Sequence, residues 1–168
     1  MTIAVTDACI FFDLLDLELS VEFFNLKLEI HTSIEVWNEI DLEQQAILNP
    51  FRKDQKLTIH ILEADLLSEM DQIAFPRGLS QPDRSVFYIA KKLGAKLLSS
   101  DGLLRKFSTK QSIPTHGMLW ILDKLIEEGI LAESIAFQKL THLTATNQMY
   151  MGNQKLQKEI KLRLEKWS

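Results

Sequence analysis

The chain has 168 residues, a net charge of −4 and a single cysteine, Cys9. Hydrophobic residues make up 46% and charged residues 25%, the balance of a globular protein long enough to bury its own core. The lone thiol excludes an internal disulfide and fits a reducing compartment. The apolar run at residues 10–17 is broken by Asp13 and Asp16 and falls short of the ~20 residues that cross a bilayer. The first seven residues carry no basic region, so a soluble cytoplasmic protein without membrane contact is expected. Cys9, among apolar neighbours, is expected to be a small buried hydrophobe.

Residues 2–6 are rich in β-branched side chains and predict a short strand running into Asp7. Apolar residues at 10, 11, 14, 15 and 17 predict a helix over 8–17, and a second short helix covers 21–26. Residues 28–32 alternate as a strand does. Thr32 and Glu35 have capping-box spacing, opening a helix that runs through Ile40 to about Leu48 and ends at Pro50. A strand at 57–62 and a helix at 64–74 follow, then Pro76 and Gly78. Ser80-Gln81-Pro82-Asp83 opens a helix that Gly94 stops. Residues 96–99 form a strand leading into Asp101, and residues 113–116 another. After Gly117 the chain reads as helical, at 118–128, 132–144 and 152–167. Strands alternating with helices predict an α/β fold with a mainly parallel sheet covered on both faces.

Two acids, Asp7 and Asp101, follow strands directly, where open parallel sheets bind their ligands. Glu39 and Asp83 lie on helices that can face the same crevice. Four gathered carboxylates repel one another unless cations are present, and hard oxygen donors suit Mg²⁺ or Mn²⁺. Such an ion activates water for phosphodiester hydrolysis, and a second one, typically ~3.5–4 Å away, steadies the leaving oxygen. Each acid also has a structural reading. Asp7 and Asp101 suit helix N-caps, Asp83 completes a capping box with Ser80, and Glu39 suits an exposed helix face. Composition and spacing leave the function open between these readings.

Four segments resemble the PIN-domain family in order. Val5-Thr6-Asp7-Ala8-Cys9-Ile10 resembles its first strand and leading aspartate. His31-Thr32-Ser33-Ile34-Glu35-Val36-Trp37-Asn38-Glu39-Ile40 resembles the segment with its glutamate. Leu79-Ser80-Gln81-Pro82-Asp83-Arg84-Ser85-Val86 resembles its third acidic segment, and Leu97-Leu98-Ser99-Ser100-Asp101-Gly102-Leu103 its fourth. The resemblance implies a three-layer α/β/α sandwich over residues 1–131, with 132–168 a helical C-terminal extension packed on the same domain or on a partner. It implies an endoribonuclease using Mg²⁺ or Mn²⁺, held by Asp7, Glu39, Asp83 and Asp101, and leaving a 5′-phosphate. It also implies a homodimer, and a toxin of a toxin–antitoxin pair inhibited by an antitoxin protein. Ser99 stands where the family often has threonine, and its hydroxyl is expected to orient a metal-bound water. A non-catalytic PIN-like scaffold is the alternative. Asp7 has no acidic partner two residues on, unlike phosphatases of the haloacid dehalogenase type, and no Gly-rich fingerprint follows the first strand.

Charge is distributed unevenly. Residues 1–50 hold ten acids and one base, while residues 51–168 hold thirteen acids and eighteen bases. Arg84, Arg105 and Lys106 lie beside the acids and are expected to contact RNA phosphates. The last helix carries five basic residues against two acids, with Leu156, Ile160, Leu164 and Trp167 on one face. That face suits packing, a second protomer or RNA.

Overall fold

The computed structural model describes residues 1–168. Five strands, β1 (Thr2–Thr6), β2 (Leu28–Ser33), β3 (Leu57–His60), β4 (Lys96–Leu98) and β5 (Thr115–His116), form one sheet in the order β3-β2-β1-β4-β5. Every pairing is parallel, with Ala4 opposite both Ile30 and Lys96. Ala4, Val5, Ile30, Leu97 and Leu98 are almost fully buried, as a parallel sheet covered by helices requires. The chain builds outward from β1 to β2 and β3, then crosses to β4 and β5. The order therefore reverses between β1 and β4, and in such sheets the crevice beyond that switch point binds ligands.

The helices are α1 (Ala8–Asp16), α2 (Ser20–Phe24), α3 (Ile34–Glu39), α4 (Leu42–Lys53), α5 (Ala64–Asp71), α6 (Gln81–Leu93), α7 (Gly102–Lys110), α8 (Met118–Glu127), α9 (Glu133–Thr146) and α10 (Gln154–Trp167), with a 3-10 turn at Gln148–Met151. Gly94 caps α6 in the left-handed region, φ +61°, where a Cβ is unfavourable.

Four local expectations are corrected. The helix expected over 34–48 is two helices, because Ile40 is extended and Asp41 caps α4 by accepting from the Gln44 N–H at 2.8 Å. The Gln45 amide donates to the carbonyls of Trp37 and Ile40 at 2.9 and 3.0 Å, satisfying groups that the end of α3 would otherwise orphan. Pro50 does not end α4, which continues to Lys53. The ring sits on the exposed side of the helix, so it costs one hydrogen bond without a buried orphan. Ser33, not Thr32, caps α3, accepting from the Val36 N–H at 3.1 Å, while the Thr32 hydroxyl donates to the Thr6 carbonyl at 2.7 Å. Cys9 is exposed, not buried. It shares the outer face of α1 with Phe12 and Asp16 at helical spacing.

The chain forms two compact units, Met1–Phe12 with Lys27–Met118, and Asp13–Leu26 with Leu119–Ser168. The first unit holds the whole sheet. In the second, α10 packs against α9 and buries Ile160 and Trp167, leaving Lys155, Lys158 and Lys161 exposed. The Arg163 guanidinium donates to both Asp123 carboxylate oxygens, at 2.7 and 3.0 Å. Buried Asp13 accepts from the Tyr150 hydroxyl at 2.8 Å and the Asn147 amide at 3.0 Å, which anchors the 3-10 turn. No helix is long and apolar enough to cross a membrane.

Candidate active site at the strand ends

Asp7 leaves the end of β1 as the hinge between strand and helix. Its backbone N–H continues the sheet pattern to the Leu98 carbonyl at 3.1 Å. Its Oδ1 accepts from the Ile10 N–H at 3.0 Å, which caps α1, and its Oδ2 accepts from the Ser99 hydroxyl at 2.5 Å. The residue is 1% exposed. Burial in a low-dielectric site disfavours the charge and pushes the carboxyl up to about 7, against the downward pull of Ser99 and Ile10, with Asp83 and Asp101 raising it further.

Ser99, fully buried just beyond β4, joins two of the acids. Its one proton goes to Asp7, and its oxygen accepts from the Asp101 N–H at 3.0 Å. Asp101 then caps α7, its Oδ2 accepting from the Leu104 N–H at 2.8 Å. Asp83 lies in the first turn of α6, where Ser80 accepts from its N–H at 3.2 Å. Burial raises the Asp83 carboxyl and Asp101 raises it further, while Ser80 lowers it. Glu39, the last residue of α3, is exposed, and its carboxyl is raised first by partial loss of solvation and then by Asp83. The electrostatic coupling runs from Glu39 to Asp83, from Asp83 to Asp101 and Asp7, and from Asp101 to Asp7. Asp83 thus lies within electrostatic reach of the other three acids, and the capping bonds expected of Asp7 and Asp101 are made at the same time.

The basic residues divide. Arg84 is partly committed, its Nε donating to the Leu79 carbonyl at 3.1 Å and its guanidinium lying 5.2 Å from the Phe75 ring centroid. Lys106 is exposed on α7. Arg105 runs alongside Gly117, where an added Cβ would stand 3.1 Å from Arg105 Nη1 and 3.5 Å from the Ser99 carbonyl oxygen. Its guanidinium therefore lies beside the turn that carries Ser99 and Asp101.

Three features escaped the sequence reading. The Ser33 and Ser85 hydroxyls, 52 positions apart, meet at 2.7 Å and tie the start of α3 to α6, which helps to hold Glu39 near Asp83. Gly117 makes room for Arg105. Glu35 Oε2 is buried without a hydrogen-bond partner; the supposed capping box with Thr32 had hidden it. No sequence spacing signals a contact between residues so far apart in the chain.

No three His, Cys, Asp or Glu side chains converge as a ready-made ligand group. Mg²⁺ does not need one, since it is usually held by one or two carboxylates with water and substrate phosphate completing its shell. The all-oxygen donors of this cluster suit such an ion.

No curated protein matches the chain. Among solved structures, a PilT N-terminus domain protein from the hyperthermophilic archaeon Sulfolobus solfataricus P2 is similar at 13% identity and a TM-score of 0.47, covering 75% of this chain and 95% of that one. At that level of similarity no conclusion rests on it. The family model DUF3368, described as a PIN domain, matches residues 3–165. That match takes in the sheet, all four acids and the helices after residue 131, and by it the chain belongs to the PIN domain family.

Proposed function

We propose that this protein is an endoribonuclease that hydrolyses RNA phosphodiester bonds with the help of Mg²⁺ or Mn²⁺. PIN domains are generally nucleases and typically use divalent metal ions. The observation that carries the reading is geometric: Asp7 and Asp101 follow the neighbouring strands β1 and β4 at the switch point and are joined through Ser99, with Asp83 near enough to both to raise the Asp7 carboxyl and be raised by Asp101.

Asp7, Asp83, Asp101 and Glu39 would hold the metal, which when bound supplies an activated water and neutralises the charge of the scissile phosphate. The protein's own part is preorganisation. Ile10 and Ser99 fix both oxygens of Asp7, so that this carboxylate need not reorient on binding. Ser99 also fixes the backbone of Asp101. With its only proton on Asp7, Ser99 aligns the carboxylates; orienting a water would require that proton to turn away. Arg105 and Lys106 provide cations for phosphates flanking the scissile one.

The test is cleavage of labelled single-stranded RNA with Mg²⁺ or Mn²⁺, comparing wild type with Asp7→Asn. Metal-dependent cleavage that the substitution abolishes is expected; equal activity in the variant, or none in wild type, refutes the reading. The same assay separates this reading from a non-catalytic scaffold. On the same proposal the protein acts as a homodimeric toxin restrained by an antitoxin protein. Growth arrest on expression, relieved by Asp7→Asn, tests that role.

A further inference from the structure

Away from the carboxylate cluster, Glu29, His31 and His60 form a chain of polar contacts across two neighbouring strands. His31 and Glu29 lie two residues apart on β2, and His31 Nε2 stands 2.8 Å from Glu29 Oε1. His31 Nδ1 stands 2.7 Å from Nε2 of His60, the last residue of β3. The imidazole planes differ by 23° with centroids 5.0 Å apart. That separation is about one ring radius on each side of a 2.7 Å contact. The rings therefore meet edge to edge, nitrogen to nitrogen, and are not stacked face to face.

With Glu29 ionised and both rings neutral, His31 Nε2 donates to Glu29 and its Nδ1 lone pair accepts from His60 Nε2–H. A neutral imidazole whose far nitrogen donates to a carboxylate is the usual arrangement of a metal-ligating histidine. Here a shared proton occupies the place of the ion.

We propose that His31 and His60 bind a borderline transition-metal cation such as Zn²⁺, with Glu29 orienting His31 from behind. Nitrogen ligands select Zn²⁺, Cu²⁺ or Ni²⁺ over Mg²⁺, which distinguishes this site from the carboxylate cluster. On binding, the His60 proton moves from Nε2 to Nδ1, so both facing nitrogens present lone pairs and no net proton is released. Two nitrogens on one tetrahedral Zn²⁺ stand about 3.3 Å apart for Zn–N bonds of about 2.0–2.1 Å, so the pair must open from 2.7 Å. His60, half-buried at the end of edge strand β3, is the ring that must turn. Water completes the shell.

The experiment titrates Zn²⁺ into the full chain by calorimetry with Mg²⁺ in excess, and follows the imidazole nitrogens by NMR. One Zn²⁺ is expected, with His31 Nδ1 and His60 Nε2 both shifting. His60→Ala and His60→Gln are expected to abolish uptake, the glutamine retaining a polar side chain should the alanine fail to fold. Glu29→Gln is expected to weaken binding by ~10-fold or more, and Asp7→Asn to leave it unchanged. No Zn²⁺ uptake by wild type, equal affinity in folded His60 variants, or loss of uptake in Asp7→Asn overturns the proposal.

Discussion

Asp7 makes the folded protein pH-sensitive in a direction opposite to that of a salt-bridged aspartate. Its carboxyl rises from the ordinary 3.8 to about 7 on folding, so between those values the folded state holds a proton that the unfolded state has released. Stability from this group is fully present below pH 3.8 and falls as pH rises towards 7. The full loss is ~4 kcal/mol at 1.36 kcal/mol per pKa unit. Asp7→Asn abolishes the titration. An asparagine Oδ1 still accepts from Ile10, but its Nδ2 needs the Ser99 oxygen as acceptor, which deprives the Ser99 proton of its present partner and costs ~1 kcal/mol. Without divalent metal at pH 8, the variant should therefore be the more stable protein by ~3 kcal/mol, or roughly 10 °C in melting temperature for a chain of this size. At pH 4 the order should reverse. Urea denaturation in chelator from pH 4 to 8 measures the difference directly, and millimolar Mg²⁺ should shrink the wild-type deficit by favouring the ionised carboxylate. A wild-type minus variant difference that stays flat across this range would falsify the assignment of the perturbed carboxyl to Asp7.

Ser99→Ala removes the donor that holds Asp7 Oδ2 and the acceptor for the Asp101 N–H. Stability in chelator at pH 8 should fall by ~1–3 kcal/mol and metal-dependent cleavage should drop; unchanged stability and cleavage would show that the two bonds do nothing. Gly117→Ala places a Cβ 3.1 Å from Arg105 Nη1. The arginine end can move aside, so melting temperature should change little while RNA affinity weakens, as it should in Arg105→Ala; additive effects in the double variant would refute the link. Tyr150→Phe removes one of the two bonds to buried Asp13. Urea denaturation should show a loss of ~1–3 kcal/mol, and proteolysis should become easier at the 3-10 turn; a null result in both would mean that the turn is held by other contacts.

The parts of the fold that were legible from sequence are those whose determinants are local. The strand running into Asp7, the Ser80 cap and the Gly94 stop each depend on a few adjacent residues. The strand ends also gave the places of Asp7 and Asp101. Glu39 and Asp83 are different. Each is an ordinary helical acid whose position permits but does not require a place at the crevice, and the family resemblance is what favoured that place over a capping or exposed one. The split between α3 and α4 was missed because apolar periodicity continues through it, and the break depends on Asp41 and Gln45 capping two helix ends at once. Cys9 was misplaced because its apolar neighbours were weighed without their positions around α1. The Ser33–Ser85 bond and the Arg105–Gly117 contact are purely tertiary.

Because Asp101 both caps a helix and joins the acidic cluster, its removal confounds structure with chemistry unless the substitution is chosen to separate them. Asparagine caps a helix about as well as aspartate, whereas alanine loses about 0.5–2 kcal/mol. In Asp101→Asn the side-chain oxygen can still accept from the Leu104 N–H, now made at 2.8 Å, and the backbone bond to Ser99 is untouched. Repulsion towards Asp7 and Asp83 is relieved as well. Asp101→Asn should therefore melt at or slightly above the wild-type temperature in chelator, and Asp101→Ala below it. If the acid serves the metal, both variants should lose Mn²⁺ affinity and RNA cleavage to a similar extent despite their different stabilities. If it serves only the cap, activity should follow stability, with asparagine active and alanine impaired. Calorimetry with Mn²⁺, a melting curve and a cleavage rate on three proteins distinguish these outcomes. An active, stable Asp101→Asn would remove this residue from the proposed metal site while leaving its place at the head of α7 intact.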